Sequence, residues 1–212
     1  MLSQIAPDED LVFFRPHEYL ARESEQPTGL LHLLEGWACR YRLLSDGRRQ
    51  ITALYLPGDY CEPHWALGRG PTQPIIALTN VRAFRAPCRV PTEVSGEVQQ
   101  SFWKNLIDGC ERQAAWLVTL GRRSAPERLA HLLLELYERM RRSGLAYGQQ
   151  CAVPLTQIDI ADLTGLTPVH VNRTLQSMRT SGLIEFQSKW LRIPDVGALR
   201  EAAAMTPSEA IS

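Results

Sequence analysis

Two helical patterns joined by a tight turn, over residues 156–180, constrain the fold more strongly than any other feature of the sequence. Thr156 and Thr167 each precede one of these patterns, where a side-chain oxygen can accept a hydrogen bond from an amide of the first turn. Pro168 occupies the first position of the second helix, where the missing N–H has no intrahelical partner to lose. Gly165 supplies the sharp turn between the two helices. The spacing therefore predicts a helix-turn-helix.

The second of these helices presents a polar face that suits the major groove of DNA. Its apolar spacing places Val171, Leu175 and Met178 on the inward face. Three outward side chains near its N-terminus are expected to read bases: Val169, Asn172 and Arg173. Arg173 can donate two hydrogen bonds to guanine, Asn172 can pair with a base edge, and Val169 can contact a thymine methyl group. Side chains expected to contact phosphates are Thr156, Thr167, His170, Gln176 and Lys189.

Two short apolar runs follow the second helix and predict a β-wing. They cover Leu183–Phe186 and Trp190–Ile193, with a turn at Gln187, Ser188 and Lys189. A helical hairpin with a merely solvated polar face is the alternative interpretation of the two helices alone. The added wing favours DNA binding, because a recognition helix followed by a wing is a known DNA-binding arrangement.

A long helical pattern over residues 95–142 is interrupted by a capping box. Ser124 is followed three residues later by Glu127, with Pro126 inside the first turn, which is the signature of a helix N-terminus. The helix that follows has an apolar face made of Leu129, Leu132, Leu133, Leu136, Tyr137 and Met140. The box is a natural hinge between domains. We expect a sensor-like domain at 1–95, a dimerisation helix at 96–123 and a DNA-binding domain at 124–212.

The first part of this long pattern carries a seam with alternating spacings of four and three residues. Its members are Trp103, Ile107, Cys110, Ala114, Leu117 and Gly121. This repeat matches a coiled-coil seam better than a surface stripe with a period of 3.6 residues. Trp116 and Val118 flank the seam, so one face of the helix is expected to pack on the N-terminal domain while the seam meets a second copy. A core helix in a monomer is the alternative.

The N-terminal part of the sequence alternates short apolar runs with turns, as small antiparallel strands do. The runs are Leu30–Leu34, Trp37–Leu44, Gln50–Leu56 and Ile75–Phe84. Asp46 and Gly47 lie between two of them and predict a hairpin. The fold class expected for the chain is α+β: an N-terminal antiparallel β-roll of the cupin-like jelly-roll type, a long dimerisation helix and a C-terminal winged helix-turn-helix.

Composition excludes several classes of protein. The 212 residues include 23 basic and 23 acidic side chains, so DNA binding depends on a local patch and not on bulk charge. Because no apolar leader or apolar run of membrane-spanning length is present, we expect a cytoplasmic protein that does not bind membranes. Five scattered cysteines without a Cys-x-x-Cys pair argue against a disulfide framework and against a zinc finger.

Several stretches together resemble the Crp/Fnr family of transcription regulators. They are Thr156–Leu175 and Ser181–Ile184 in the C-terminal part, Leu120–Leu132 at the junction, and Gly36–Ile51 and Leu56–Asp59 in the roll. The resemblance implies a cyclic-nucleotide-binding-like roll, a dimerisation helix and a winged helix-turn-helix. It also implies a sequence-specific, homodimeric regulator on an inverted-repeat operator that is not an enzyme. The expected partners are double-stranded DNA, a second copy of the chain and RNA polymerase.

The sequence departs from the family where a cyclic nucleotide is held. Members that bind the nucleotide present a Gly-Glu pair for the ribose and an Arg-Ser or Arg-Thr pair for the phosphate. The glutamate position falls on Pro63, and the Arg-Ser position falls on Gln73 and Pro74. We therefore predict no cyclic-nucleotide binding, although Arg69 and Arg82 leave a shifted phosphate partner open. In the recognition helix, Arg173 matches the common arginine, whereas many members have glutamate at position 169 and serine or glycine at position 172.

No cofactor is selected by the sequence, and an unknown small-molecule or redox signal stays open. The first cysteine is Cys39, inside a predicted strand, so the N-terminal cluster of the oxygen-sensing members is missing. The other candidates weighed are Cys61 with His64 as half of a metal site, His17, His32 or His64 as a haem ligand, and Cys61 or Cys88 as a redox thiol. A cupin-like metal-dependent enzyme and a dimeric scaffold that no longer binds DNA are the alternative functions.

Overall fold

The computed structural model describes residues 11–87 and 96–205, except for the side chains of residues 97–99. The chain divides into two compact units, Met1–Gln113 and Ala114–Ser212, and each is described by itself. Among the described residues, no helix has both the length and the apolar character needed to cross a membrane. The architecture is mixed α+β, as expected.

Two antiparallel sheets form the body of the N-terminal unit. The strands are β1 Leu11–Phe14, β2 Tyr19–Ala21, β3 Leu30–Glu35, β4 Ala38–Leu43, β5 Arg49–Tyr55, β6 Tyr60–Cys61, β7 Ile75–Ala77 and β8 Val81–Ala86. One sheet has the order β1-β8-β3-β6 and the other β2-β7-β4-β5. Both sheets contribute to one apolar core, which includes Leu33, Ile75 and Ala83. A short 3-10 helix, Pro63–Leu67, buries Trp65 in the same core.

The predicted hairpin at Asp46 and Gly47 is confirmed, because β4 pairs with β5 across this turn and Gly47 has a φ of 85°. The predicted run Ile75–Phe84 is wrong as a single strand. It divides into β7 and β8, which lie in different sheets. At the bend between them, Thr79 Oγ1 accepts a hydrogen bond from the Trp37 N–H (2.9 Å), and the Leu78 N–H donates to the Trp37 carbonyl oxygen (2.8 Å). Apolar periodicity alone does not reveal such a crossing.

A long helix, α1 Gly96–Arg122, joins the roll through its N-terminal half. Phe102 is only 1% exposed and belongs to the core of the roll. Asn105 Oδ1 accepts a hydrogen bond from the Tyr60 N–H (3.1 Å), and Asn105 Nδ2 donates to the Gly58 carbonyl oxygen (3.2 Å). The helix is therefore held by a buried ring and by a polar anchor one turn further along.

Helices and a small antiparallel sheet form the C-terminal unit. The helices are α2 Ala125–Arg142, α3 Gln157–Thr164, α4 Pro168–Thr180 and α5 Val196–Ala202. The strands are β9 Ala146–Tyr147, β10 Gln150–Ala152, β11 Glu185–Gln187 and β12 Trp190–Arg192, in the order β11-β12-β10-β9. The apolar face predicted for α2 is confirmed, because all six of its side chains are buried. The β9–β10 hairpin was not predicted.

The junction between α1 and α2 is held by buried polar contacts. The predicted capping box is confirmed: the Ser124 N–H donates to Glu127 Oε2 (2.6 Å). Arg123 is buried, and its Nε donates to the Ala203 carbonyl oxygen (2.8 Å) beyond α5. The packing expected for Trp116 is corrected: its Nε1 donates to Glu135 Oε2 (2.7 Å), so Trp116 packs on α2. Val118, its companion in that prediction, is exposed.

We expect Phe102→Ala to lower the free energy of unfolding of the N-terminal unit by about 3–5 kcal/mol, because it empties a fully buried site. Phe13 lies on β1 with 69% of its surface exposed, so it provides a control of the same residue type. Phe13→Ala should change the free energy by less than about 0.5 kcal/mol. Urea unfolding followed by circular dichroism measures both, and equal losses would contradict this packing of α1.

Candidate nucleic-acid interface

Two threonine caps and one glycine turn define the helix-turn-helix, as predicted. Thr156 Oγ1 accepts a hydrogen bond from the Asp159 N–H (3.1 Å) at the start of α3. Thr167 Oγ1 accepts one from the His170 N–H (3.2 Å) at the start of α4. Between the helices, Gly165 has a φ of 67°, a conformation that favours glycine, and its N–H donates to the Ala161 carbonyl oxygen. These bonds fix the direction in which α4 leaves the turn.

The side of α4 that packs on the domain is the one that the sequence predicts. Val171, Leu175 and Met178 are all buried, with at most 4% of their surface exposed. Thr174, on the same side, is buried and donates its hydroxyl to the His170 carbonyl oxygen (2.9 Å) within the helix. The opposite face of α4 is left for a partner.

The predicted base readers lie on that opposite face. Val169 is 71% exposed and Arg173 is exposed, whereas Asn172 is half-buried at the edge of the face. His170 and Gln176 are exposed as well. Because these positions are separated by three or four residues, they form one continuous surface.

The carboxylate of Asp159 caps the N-terminus of α3. Asp159 Oδ2 accepts hydrogen bonds from the Thr156 N–H (3.0 Å) and from Thr156 Oγ1 (2.6 Å), which completes a capping box. Arg173 takes part in none of the ion pairs found among the described residues, and it is exposed. The guanidinium of Arg173 is therefore presented to solvent.

The hydroxyl groups of Thr156 and Thr167 differ in whether their proton is already used in a hydrogen bond. Thr156 uses its hydroxyl proton in the bond to Asp159, so a phosphate there would meet the backbone amides of the first turn of α3. Thr167 Oγ1 is an acceptor in its capping bond, so its hydroxyl proton stays available to a phosphate. Both threonines are exposed.

The wing forms a tight hairpin between β11 and β12. Ser188 and Lys189 have φ values of 50° and 65°, the pair of left-handed residues that a type I′ turn requires. The Val153 N–H donates to the Lys189 carbonyl oxygen (2.8 Å) and holds the turn on the domain. The first strand begins at Glu185 and not at Leu183, because the Leu183 N–H donates to the Met178 carbonyl oxygen (3.0 Å) to close α4.

One link between α4 and the wing was missed by the sequence analysis. Arg179, in the last turn of α4, donates its Nη1 to the Phe186 carbonyl oxygen (3.1 Å) in β11. The sequence shows only an arginine near the end of a helix. Such a side chain can remain in solvent as readily as it can form a hydrogen bond within the protein. A second missed feature is Ile158, an exposed apolar side chain in the first turn of α3.

The predicted seam lies on the exposed side of α1. Leu117 is 76% exposed and Ile107 is 56% exposed, although both are large apolar residues. The remaining members of the seam, Trp103, Cys110, Ala114 and Gly121, are exposed too. Such a continuous apolar stripe marks an interaction surface more often than a solvated face.

In the roll, a buried polar cluster occupies the region that the family resemblance assigns to a cyclic nucleotide. Glu62, just before Pro63, is 6% exposed. Its Oε1 accepts a hydrogen bond from Arg40 Nη1 (2.6 Å) and another from the Tyr55 hydroxyl. Its Oε2 lies 3.2 Å from His64 Nδ1. Burial and the nearby Glu62 carboxylate raise the pKa of Tyr55 well above its ordinary value, so Tyr55 stays a donor.

The cluster extends to the position expected for the phosphate. Gln73 Oε1 accepts a hydrogen bond from Thr52 Oγ1 (2.6 Å), and Thr52 Oγ1 accepts one from Arg40 Nε (3.0 Å). Arg40 thus links Gln73 to Glu62, and its positive charge is already neutralised by a carboxylate in a nearly buried ion pair. We call this group, Arg40, Thr52, Tyr55, Glu62 and Gln73, the roll cluster.

The two arginines left open as phosphate partners lie elsewhere. Arg82 forms an ion pair with Glu35 at the surface of the other sheet. Arg69 is exposed in the loop after the 3-10 helix. The structure therefore brings neither arginine into the roll cluster.

The two cysteines of the roll that the structure describes, Cys39 and Cys61, show little of the character of reactive thiols. Cys39 and Cys61 are both fully buried, and burial raises the pKa of Cys61 well above its ordinary value. In the other unit, burial raises the pKa of Cys151 to about 11. A protonated, buried thiol is a poor nucleophile. Cys88 lies outside the described residues.

The histidines considered as metal ligands have other neighbours in the roll. His64 faces Glu62, and burial lowers the pKa of His32, which packs against Tyr60 with ring centroids 4.6 Å apart. No group of three or more His, Cys, Asp or Glu side chains suited to a metal is present among these residues. A cupin-like enzyme would need such a group.

Comparison with known proteins matches both units. The model of the cyclic nucleotide-binding domain matches residues 11–89, and that of the Crp-like helix-turn-helix domain matches residues 127–202. The transcriptional activatory protein AadR of Rhodopseudomonas palustris is 32% identical over 194 residues, covering 87% of this chain and 77% of its own. The nitrogen fixation regulation protein FixK of Bradyrhizobium diazoefficiens is 30% identical, covering 91% and 81%.

Among solved structures, FixK2 from Bradyrhizobium japonicum superposes with a TM-score of 0.80 and 27% identity, covering 92% of this chain and 98% of its own. A cyclic nucleotide-binding-type roll joined to a helix-turn-helix defines a class of transcription regulators, and AadR is named as a transcriptional activatory protein. The chain belongs to the Crp/Fnr family.

Proposed function

We propose that two copies of this chain bind an inverted-repeat DNA site through α4 and that the roll binds no cyclic nucleotide. The proposal is carried by the exposed face of α4, where Arg173 and Val169 point away from a fully buried apolar face. A helix with its N-terminus capped and its polar face free is suited to enter a major groove. The rest of the domain then sets the orientation of that helix.

Base reading is assigned to three residues of this face. Arg173 reads guanine, because its planar fork matches the O6 and N7 acceptors. Val169 contacts a thymine methyl group one helical turn away. Asn172 pairs with a base edge from the margin of the face, where its half-buried side chain has restricted freedom.

Phosphate contacts are assigned to groups around this face. Thr167 donates its free hydroxyl proton, while Thr156 contributes the amides of the first turn of α3. His170 and Gln176 flank the readers on α4, and Lys189 meets a phosphate at the wing turn as a point charge. Such contacts fix the position of the protein along the duplex, and they do not depend on the base sequence of the DNA.

Dimerisation is assigned to the seam of α1, in a helix at 96–123 between a sensor-like domain at 1–95 and a DNA-binding domain at 124–212. Two copies related by a twofold axis place two α4 helices on half-sites about one helical turn apart. The large exposed area of Leu117 and Ile107 supports this assignment. Apolar area of this kind favours association when it is removed from water.

The roll is proposed to respond to a signal other than a cyclic nucleotide, or to none. The nucleotide phosphate needs a free positive charge, and Arg40 is already paired with Glu62. Because AadR is named as a transcriptional activatory protein, we extend activation, with RNA polymerase as the partner, to this chain. Its place of action would be the cytoplasm, where bacterial DNA lies.

Arg173→Ala and Lys189→Ala should weaken DNA binding in different ways. Arg173→Ala is expected to cost about 1–3 kcal/mol per half-site and to relax the preference at one base pair. Lys189→Ala should weaken binding to all sequences equally and reduce the salt slope by about one for each phosphate that the lysine neutralises. Binding to a panel of operators with single base changes, at several salt concentrations, measures both effects.

The alternative is that Arg173 has a structural role and is tied to an acid of the domain such as Asp159 or Asp162. If Arg173 stabilised the domain, Arg173→Ala would lower the melting temperature and weaken binding to every sequence alike. An unchanged base preference in this variant would remove Arg173 from the readers.

Leu117→Asp and Ile107→Asp should each convert the dimer into a monomer, because an unpaired charge buried in an interface costs several kcal/mol. Gln113→Asp introduces the same charge at an exposed position beside the seam and should leave the dimer intact. Sedimentation equilibrium distinguishes the two states. A dimer that survives both seam substitutions would place the interface elsewhere.

Millimolar cyclic AMP or cyclic GMP should neither bind the protein nor change its affinity for DNA. A phosphate in the roll would forgo charge-assisted hydrogen bonds worth about 1.5–3 kcal/mol each, because Arg40, the cation of the roll cluster, is already paired. Calorimetric titration, repeated on Arg40→Ala, provides the measurement. Micromolar binding that disappears in Arg40→Ala would contradict the proposal and identify Arg40 as the phosphate partner.

A further inference from the structure

We propose that Trp190 is a second DNA contact of the wing, with its indole packed on the sugar–phosphate backbone and its Nε1–H donated to a phosphate. This inference rests on the proposed DNA-binding function. Trp190 follows Lys189 directly and is the first residue of β12, so it stands at the tip of the hairpin. Its side chain is 51% exposed.

The direction of the indole follows from the alternation of β12. Leu191 is fully buried, whereas its neighbours Trp190 and Arg192 are exposed, so these two side chains lie on the opposite face of the sheet. Trp190 pairs with Gln187 across the turn and with Ala152 on β10. The ring therefore lies on the open face of the wing, beside the two residues of the turn.

The tip that carries Trp190 is held in place. The turn is bonded to the domain through the Lys189 carbonyl oxygen, and β11 is bonded to the last turn of α4 through Arg179. Both links lie within the C-terminal unit. A contact made by Trp190 would therefore be fixed relative to the recognition helix and would need little ordering on binding.

The charge around the tip suits a phosphate. Residues 187–190 contain one basic side chain and no acidic one. The carboxylate of the hairpin, Glu185, lies at the other end of β11 and is paired with Arg192 Nη1 (2.7 Å). The phosphate therefore meets the lysine and an indole with no negative group between them.

The indole of Trp190 offers a phosphate a hydrogen-bond donor and offers the sugar an apolar surface. Its Nε1–H is a donor and never an acceptor, and it takes part in none of the hydrogen bonds found among the described residues. Its ring offers a flat, rigid apolar area for the deoxyribose. Aromatic rings with a polar edge suit surfaces that are half apolar and half polar.

The test compares Trp190→Ala and Trp190→Phe with the full-length protein on its operator. Trp190→Ala should weaken binding about three- to tenfold per half-site, because it removes one hydrogen bond together with the packing of the ring. Trp190→Phe keeps a ring without the N–H and should weaken binding less. Because the indole is neutral, the salt slope should stay that of the unsubstituted protein, in contrast with Lys189→Ala.

Tyr147→Ala is the matched control, because Tyr147 is exposed on β9 of the same sheet, two strands from β12. Its affinity for DNA should be unchanged. Normal DNA binding by Trp190→Ala, while Arg173→Ala and Lys189→Ala weaken it, would overturn the proposed role of Trp190. Normal binding with reduced transcription in vitro would assign Trp190 to a protein partner and overturn it as well. If none of these variants weakened binding, the proposed function itself would fail.

Discussion

The left-handed turn at Gly165, with a threonine cap on either side of it, is the constraint on which the C-terminal unit depends. The caps settle where α3 and α4 begin, and the turn settles the angle between them. When the start of each helix and the angle between them are fixed, the inward residues of α4 pack in the core. The polar residues of α4 then face outward. The C-terminal end of α4 is then bonded to the wing through Arg179. Reader and wing are thus parts of one rigid arrangement.

The features that the sequence predicted are those that depend on neighbouring residues. The caps at Thr156 and Thr167, the capping box at Ser124 and the hairpin at Gly47 all involve contacts within a few residues. Periodicity likewise separates the buried and exposed faces of α4. The sequence therefore predicted which face of α4 is buried and which is exposed, whereas the contacts of its side chains with DNA stay predictions.

The features that the sequence missed depend on residues far apart in the chain. Phe102 was passed over because an apolar residue next to Trp103 is equally consistent with a seam or a core. Trp116 finds its partner 19 residues away in α2. The roll cluster joins strands and loops from Arg40 to Gln73, and no spacing in the sequence indicates that these polar side chains meet.

The backbone conformation of Glu62 limits what single substitutions in the roll cluster can achieve. Glu62 has a φ of 49°, a left-handed conformation that favours glycine and costs other residues of order 1 kcal/mol. It occupies the place of the glycine in the Gly-Glu pair of nucleotide-binding members. Glutamate at position 63 alone would leave Arg40 bound to Glu62, and glycine at position 62 alone would leave the nearly buried Arg40 without its carboxylate. Neither substitution by itself therefore provides both an arginine free of Glu62 and a carboxylate at position 63.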